Sequence, residues 1–177
     1  MKVYNFSQYS SLYNKFLSEL RDENIQKDSM RFRKNLERLG EISAYEISKT
    51  LKENSQVTKT PLGTSKTSVP SENLVLATVL RAGLPLHNGL LKYYDNAENC
   101  FISAYRKHTS KEEFEVEIQY MASPNLNDKI VLLSDPMLAT GRSMVLAYKA
   151  LLKKGIPSKI HLVCVIGSEQ GVEYISK

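Results

Sequence analysis

Four short runs of nearly uninterrupted apolar residues mark the middle and end of the chain: Leu74–Leu80 (LVLATVL), residues 100–105 (CFISAY), Ile130–Ser134 (IVLLS) and residues 160–166 (IHLVCVI). A strand with one wet face alternates apolar and polar positions. These runs do not alternate, so they suit strands of a parallel sheet covered on both faces. Residues 84–94 and 143–154, lying between them, read as helices. Strand–helix alternation of this kind predicts a doubly wound α/β fold with a mostly parallel sheet.

Upstream the pattern is helical. Residues 7–21 place Leu12, Phe16 and Leu20 at fourfold spacing on one face. Residues 28–51 predict a longer helix, capped by Asp28 or Ser29, with Leu36, Leu39, Tyr45 and Ile47 as its apolar side. Its charged stretch RFRKNLERLGE reads as a solvated face or a subunit contact. Residues 52–73 are rich in Ser, Thr and Lys and are punctuated by Pro61, Gly63 and Pro70, which predicts a connecting segment with a short hairpin. Further on, Phe114, Val116, Ile118 and Tyr120 alternate with polar residues after the turn-like HTSKEE, predicting an antiparallel β-hairpin arm that projects from the sheet.

The chain's 177 residues fit a single domain, with an N-terminal helical region over 1–52 and an α/β core over 74–168. No apolar run is long enough to span a bilayer, and the N-terminus lacks the apolar core of a secretory signal, so the expected place is the cytoplasm. Cys100 and Cys164 sit singly in apolar runs and read as inert thiols; the three histidines are scattered, and no metal site is expected. The net charge of +5, from 24 basic and 19 acidic residues, decides nothing by itself.

In open parallel sheets, ligands bind beyond the carboxyl ends of the strands. The first apolar run leads into Arg81, the second into Arg106 and the third into Asp135. Taken singly, each is explained as a surface ion pair. Together they offer two guanidinium forks for phosphate oxygens and a carboxylate for sugar hydroxyls. Beside them, Ala139-Thr140-Gly141-Arg142-Ser143 opens a helix, whose unpaired amides and positive dipole end suit a monophosphate. A plain capped helix, with Ser143 as its cap, accounts for Ser143 but not for Asp135, Thr140 and Gly141. Neither a Walker loop nor a dinucleotide fingerprint is present.

At this point the residues resemble a family. LLSDPMLATGRS is similar to the phosphoribosyl-pyrophosphate loop of uracil phosphoribosyltransferases, usually V-D-P-M-L-A-T-G-G-S. MRFRKNLERLGEISAYEI, TPLG and LRAGLPLHNGLL resemble further stretches of that family in the same order. The resemblance implies a phosphoribosyltransferase-like fold and a reaction of 5-phosphoribosyl 1-pyrophosphate (PRPP) with uracil, giving UMP and pyrophosphate in pyrimidine salvage. It assigns Arg81 and Arg106 to the pyrophosphate, Asp135 to the ribose hydroxyls, and Ala139, Thr140, Gly141, Arg142 and Ser143 to the 5-phosphate. Pro136, Met137 and Leu138 complete the PRPP loop, and Asp135 and Arg106 are the expected catalytic residues. It also implies Mg2+ bound with PRPP, GTP as an activator in some relatives, and a homo-oligomer, dimer or larger. Neither a membrane nor DNA is an expected partner.

The chain departs from the family pattern at three places. Arg142 stands where the loop usually has Gly, Lys107 follows Arg106 where an acid is common, and the Tyr-Ile-Val-Pro-Gly-Leu-Gly-Asp-Ala-Gly-Asp run that reads uracil has no counterpart. That third departure supports an alternative expectation: a catalytically silent sensor of PRPP, or an RNA-binding regulator using the basic helix around Arg31–Arg38.

Overall fold

A run that is apolar at nearly every position must have both faces covered, and the computed structural model of the chain does this at β3 (Leu74–Leu80) and β6 (Ile130–Ser134). The structure describes residues 1–70, 73–108 and 114–177; most of the turn expected at 108–113 lies outside the described residues. Among the latter, the main sheet has five strands in the order β5-β4-β3-β6-β8, with β4 (Glu98–His108), β5 (Phe114–Ala122) and β8 (Lys159–Val163). β4, β3, β6 and β8 run parallel, and β5 lies antiparallel along β4.

Side-chain alternation sorts the two central strands between two cores. Leu74, Leu76 and Leu132 join a cluster with Leu36, Leu39, Leu86 and Leu90, whereas Val75, Ala77, Val131 and Leu133 pack with Met144, Ala147 and Leu151. Thus α1 (Leu12–Arg21), α2 (Ser29–Ser48) and α3 (Leu84–Leu91) cover one face, and α4 (Arg142–Leu151) covers the other.

Within the helices the apolar faces differ in part from expectation. Leu12 and Tyr45 are exposed, while Tyr13, Leu17 and Leu20 fill the inner side of α1, and Ala44 joins Leu36, Leu39 and Ile47 on α2. Asp28 does cap α2, its carboxylate accepting from the amides of Met30 (3.1 Å) and Arg31 (3.0 Å). Three of the four basic residues in the charged stretch of α2 are tied within the chain, and Arg33 is exposed. Arg31 pairs with Glu19 at 3.5 Å, Lys34 with Glu37 at 3.0 Å, and Arg38 donates to Asn35 Oδ1 at 3.0 Å while lying over the Phe16 ring.

The segment after α2 is more structured than a connector. β1 (Glu53–Thr60) and β2 (Gly63–Pro70) form a full antiparallel hairpin from Glu53↔Pro70 to Thr60↔Gly63, exposed along nearly its whole length. The expected antiparallel arm exists too, but it begins inside the main sheet: β5 pairs with β4 from Phe101↔Ala122 to His108↔Phe114. The fourth apolar run divides into β8 and a two-residue strand, β9 (Ile166–Gly167), which pairs with β7 (Met137–Leu138). A last helix, α5 (Glu169–Ser176), follows.

Candidate active site

The parallel register brings the carboxyl ends of β3, β6 and β8 to one rim. Thr78 lies opposite Ser134, and Ser134 opposite Val163. Asp135 and Cys164 therefore emerge side by side at the level of Val79, and Arg81 follows two positions further along the chain. Beneath the rim, the two buried hydroxyls bond across β3 and β6: Thr78 donates to the Ser134 carbonyl at 3.3 Å, and Ser134 to the Ala77 carbonyl at 3.2 Å.

Arg81 is exposed, and the Leu80–Arg81 peptide is cis. The chain then folds back sharply, with the Gly83 amide donating to the Val79 carbonyl at 3.1 Å. A Cβ at Gly83 would stand 2.6 Å from that carbonyl and overlap the Thr78 hydroxyl, so only glycine fits this bend.

Arg106 is placed differently from expectation. Ser103 is already level with Leu80, and β4 continues as a strand to His108, with Arg106 opposite Val116. Arg106 thus belongs to the β4–β5 ladder, three positions beyond the level of Leu80. That is about 10 Å further along a strand rising about 3.3 Å per residue. The expected strand end at residue 105 is too early because the antiparallel partner keeps the backbone extended.

Asp135 is half-buried; its amide donates to the Val163 carbonyl at 3.0 Å, and its Oδ1 accepts from the Met137 amide at 3.3 Å. These bonds fix the carboxylate at the start of the loop. Burial pushes the neighbouring Cys164 thiol above its ordinary value, and the Asp135 charge pushes it the same way. A protonated thiol is the inert form.

The loop itself runs through buried Pro136 and Leu138 and exposed Met137, Ala139 and Thr140 to Gly141. Gly141 has φ +77° and is the N-cap of α4, with no side chain capping the helix and no acid in its first turn. Ser143 lies inside the helix, so it is not the cap the sequence suggests; the left-handed turn at Gly141 starts the helix two residues earlier. Arg142 is exposed in that first turn. An uncapped helix start presents orphan amides and a positive dipole end, and a cation beside it is favourable only with an anion nearby.

Sequence reasoning missed the other half of this loop's surroundings. β9 and the start of α5 pack against residues 136–141: the Ser168 amide donates to the Leu138 carbonyl at 2.9 Å and its hydroxyl to the Ala139 carbonyl. A usable signal existed, since Ser168 followed by Glu169, with Val172 and Ile175 three residues apart, is the pattern of a capped helix start. Among the described residues, no group of three or more His, Cys, Asp or Glu side chains is placed to hold a metal ion.

A mostly parallel sheet with helices on both faces, an acid at one strand end and an uncapped helix start beside it define a phosphoribosyltransferase-like α/β protein. A hypoxanthine phosphoribosyltransferase of Staphylococcus aureus shares this fold at a TM-score of 0.52 and 16% identity, over 75% of this chain and 62% of that one. The family model described as uracil phosphoribosyltransferase matches residues 8–177, and the chain belongs to that family of pentosyl-transferring enzymes. It is 53% identical to the uracil phosphoribosyltransferase of Porphyromonas gingivalis, over 99% of this chain and 81% of that protein. The Thermococcus gammatolerans uracil phosphoribosyltransferase is 35% identical over 99% of this chain and 77% of its own length. A solved Aquifex aeolicus protein superposes at a TM-score of 0.83 with 30% identity, covering 95% of this chain and 78% of that one.

Proposed function

We propose that the chain transfers the phosphoribosyl group of PRPP to uracil, forming UMP and releasing pyrophosphate. The observation that carries this reading is the α4 start, an uncapped helix end opening at a left-handed Gly141 six residues after Asp135. In this reading the amides from Ala139 to Ser143 take the 5-phosphate, with Arg142 adding a cation at its edge. Asp135 accepts from the ribose hydroxyls, and Pro136, Met137 and Leu138 carry the chain between the two subsites. Arg81 meets the pyrophosphate in this reading, and Arg106, further along the β4–β5 ladder, is assigned to it by the family resemblance alone.

The step forms a bond from uracil N1 to ribose C1′ as the bond from C1′ to pyrophosphate oxygen breaks. The leaving pyrophosphate takes the electron pair, and the N1 proton is lost. Positive charge grows on the sugar while negative charge grows on the leaving group, so preorganised electrostatic contacts supply most of the acceleration. Magnesium bound with PRPP would supply positive charge to the phosphate oxygens of the leaving group.

The decisive experiment converts labelled uracil to UMP with the 177-residue chain, PRPP and magnesium. UMP that depends on both substrates supports the reading; no UMP, together with no binding of PRPP, overturns it. The sensor reading draws little from α2, where Arg31, Lys34 and Arg38 are engaged within the chain.

Assembly and regulation belong to the same proposal. A two-stranded hairpin by itself is marginal in water, and β1–β2 leaves Val57 and Leu62 exposed, which supports a homo-oligomer in which the arm meets another subunit. Sedimentation tests the oligomer, and adding GTP to the assay tests activation. No helix among the described residues is long and apolar enough to cross a membrane, in keeping with a cytoplasmic site of action.

A further inference from the structure

The carbonyl groups of the PRPP loop turn towards one neighbour. The Pro136 carbonyl accepts from the amides of Val165 (3.1 Å) and Ile166 (3.0 Å), the Leu138 carbonyl accepts from the Ser168 amide (2.9 Å), and the Ala139 carbonyl accepts from the Ser168 hydroxyl. All four donors lie in the segment that leads into α5. In a trans peptide the C=O and the following N–H point in opposite directions. The amides of Met137, Ala139 and Thr140 are therefore turned away from α5. The Met137 amide meets Asp135 Oδ1 at 3.3 Å, on the side of the site.

Ser168 serves both partners with one hydroxyl. Its proton goes to the Ala139 carbonyl, and its oxygen accepts from the Gly171 amide at 2.9 Å, capping α5. Gly171 makes the approach close. A Cβ there would stand 2.6 Å from the Ala139 carbonyl oxygen and 2.8 Å from that of Leu138. From the other side, a Cβ on Gly141 would meet Tyr174 at 2.9 Å and Ile175 at 3.0 Å. The first turns of α5 are thus moulded to the loop's carbonyl side, which needs a small residue at 171.

We propose that Ser168 and Gly171 are positioning residues for PRPP: by holding the Leu138 and Ala139 carbonyls, they aim the loop's amides at the 5-phosphate. The inference rests on the reading above that residues 139–143 take that phosphate. Neither residue touches substrate in this scheme. Ser168 acts through the Ala139–Thr140 peptide, and Gly171 through the space it leaves.

The test measures PRPP affinity by titration calorimetry, the KM for uracil and the melting temperature, for wild type, Ser168→Ala, Ser168→Thr and Gly171→Ala. Ser11→Ala is the control, because Ser11 also caps a helix, accepting from the Tyr13 amide at 3.2 Å, far along the chain from the loop. Ser168→Ala and Gly171→Ala should each weaken PRPP about tenfold while leaving the KM for uracil unchanged. Ser168→Thr keeps the hydroxyl and should restore affinity. Ser11→Ala should lower the melting temperature with PRPP affinity intact. If Ser168→Ala loses only thermal stability, as Ser11→Ala does, Ser168 is a plain helix cap and the proposal is overturned. If Ser168→Ala does not fold, Gly171→Ala decides alone, and wild-type affinity there also overturns it. A wild-type chain that binds no PRPP removes the functional reading first, so the two failures are told apart by the wild-type titration.

Discussion

Gly40 on α2 and Gly89 on α3 meet so closely that a Cβ on Gly40 would stand 3.1 Å from the Gly89 Cα. Seen from α3, a Cβ on Gly89 would overlap the Glu37 carbonyl and stand 2.9 Å from the Glu41 amide. The two helices therefore cross backbone to backbone, and Lys92, just past α3, pairs with both Glu37 and Glu41 at the same crossing. Gly89→Ala should force the helices apart and destabilise the fold by about 1–3 kcal/mol, the usual cost of overpacking. Urea unfolding measures it; a change within error would mean the crossing relaxes without loss.

Asp135→Asn keeps the size of the side chain and removes the charge that the ribose hydroxyls would meet. The expected loss in kcat/KM is about 100- to 1,000-fold, with a melting temperature close to wild type. Turnover near wild type would remove Asp135 from the site.

Arg142 sits in the first turn of α4, where a cation opposes the helix dipole. Arg142→Gly should therefore leave stability unchanged or slightly raised while weakening PRPP by about fivefold at low salt, as expected for one exposed charge-assisted contact. The difference should shrink as salt rises. A salt-independent effect would point to a change in loop shape instead.

Tyr94 gives the fold an alkaline limit. Its hydroxyl donates to the Ala44 carbonyl at 2.7 Å, and burial pushes the phenol from 10.0 up to about 12. An acid whose folded value is raised loses its proton first in the unfolded chain. Its contribution is then complete below pH 10 and fades as pH rises towards 12. Tyr94→Phe should be less stable at neutral pH, by about 1–3 kcal/mol for the orphaned carbonyl, yet lose less than wild type between those limits. Melting curves across the alkaline range would show parallel losses if Tyr94 carries none of the effect.

The sequence announced the sheet more clearly than its surroundings, for physical reasons. β3 and β6 fall where continuous apolar runs place them, because only a doubly covered strand tolerates such a run. Asp28 was legible as a cap because an acid before a helical pattern has few other uses. On α1 the expected face holds at Leu20 and partly at Phe16, but its first member does not: Tyr13, with its polar tip, packs inwards, and Leu12 is exposed. β7 and β9 are two residues each, too short to carry any period. The β1–β2 hairpin is mostly polar and almost wholly exposed, so burial left little imprint on its composition. Within the candidate site, the placing of Asp135 just after β6 and of residues 139–143 at the start of α4 was legible from local spacing. The role of Ser168 depends on a contact 29 positions away along the chain, which no local pattern encodes.

That hairpin also offers an experimental handle. Pro61 and Leu62 form its tip, Leu62 is fully exposed, and Lys59 and Lys66 flank it on strands that touch no core. In an unassociated chain trypsin should nick this tip, leaving two fragments held together by the packing of α1 and α2 against α3 and the sheet face. A fluorophore or an inserted peptide at the tip should report on the arm without disturbing the fold beneath it.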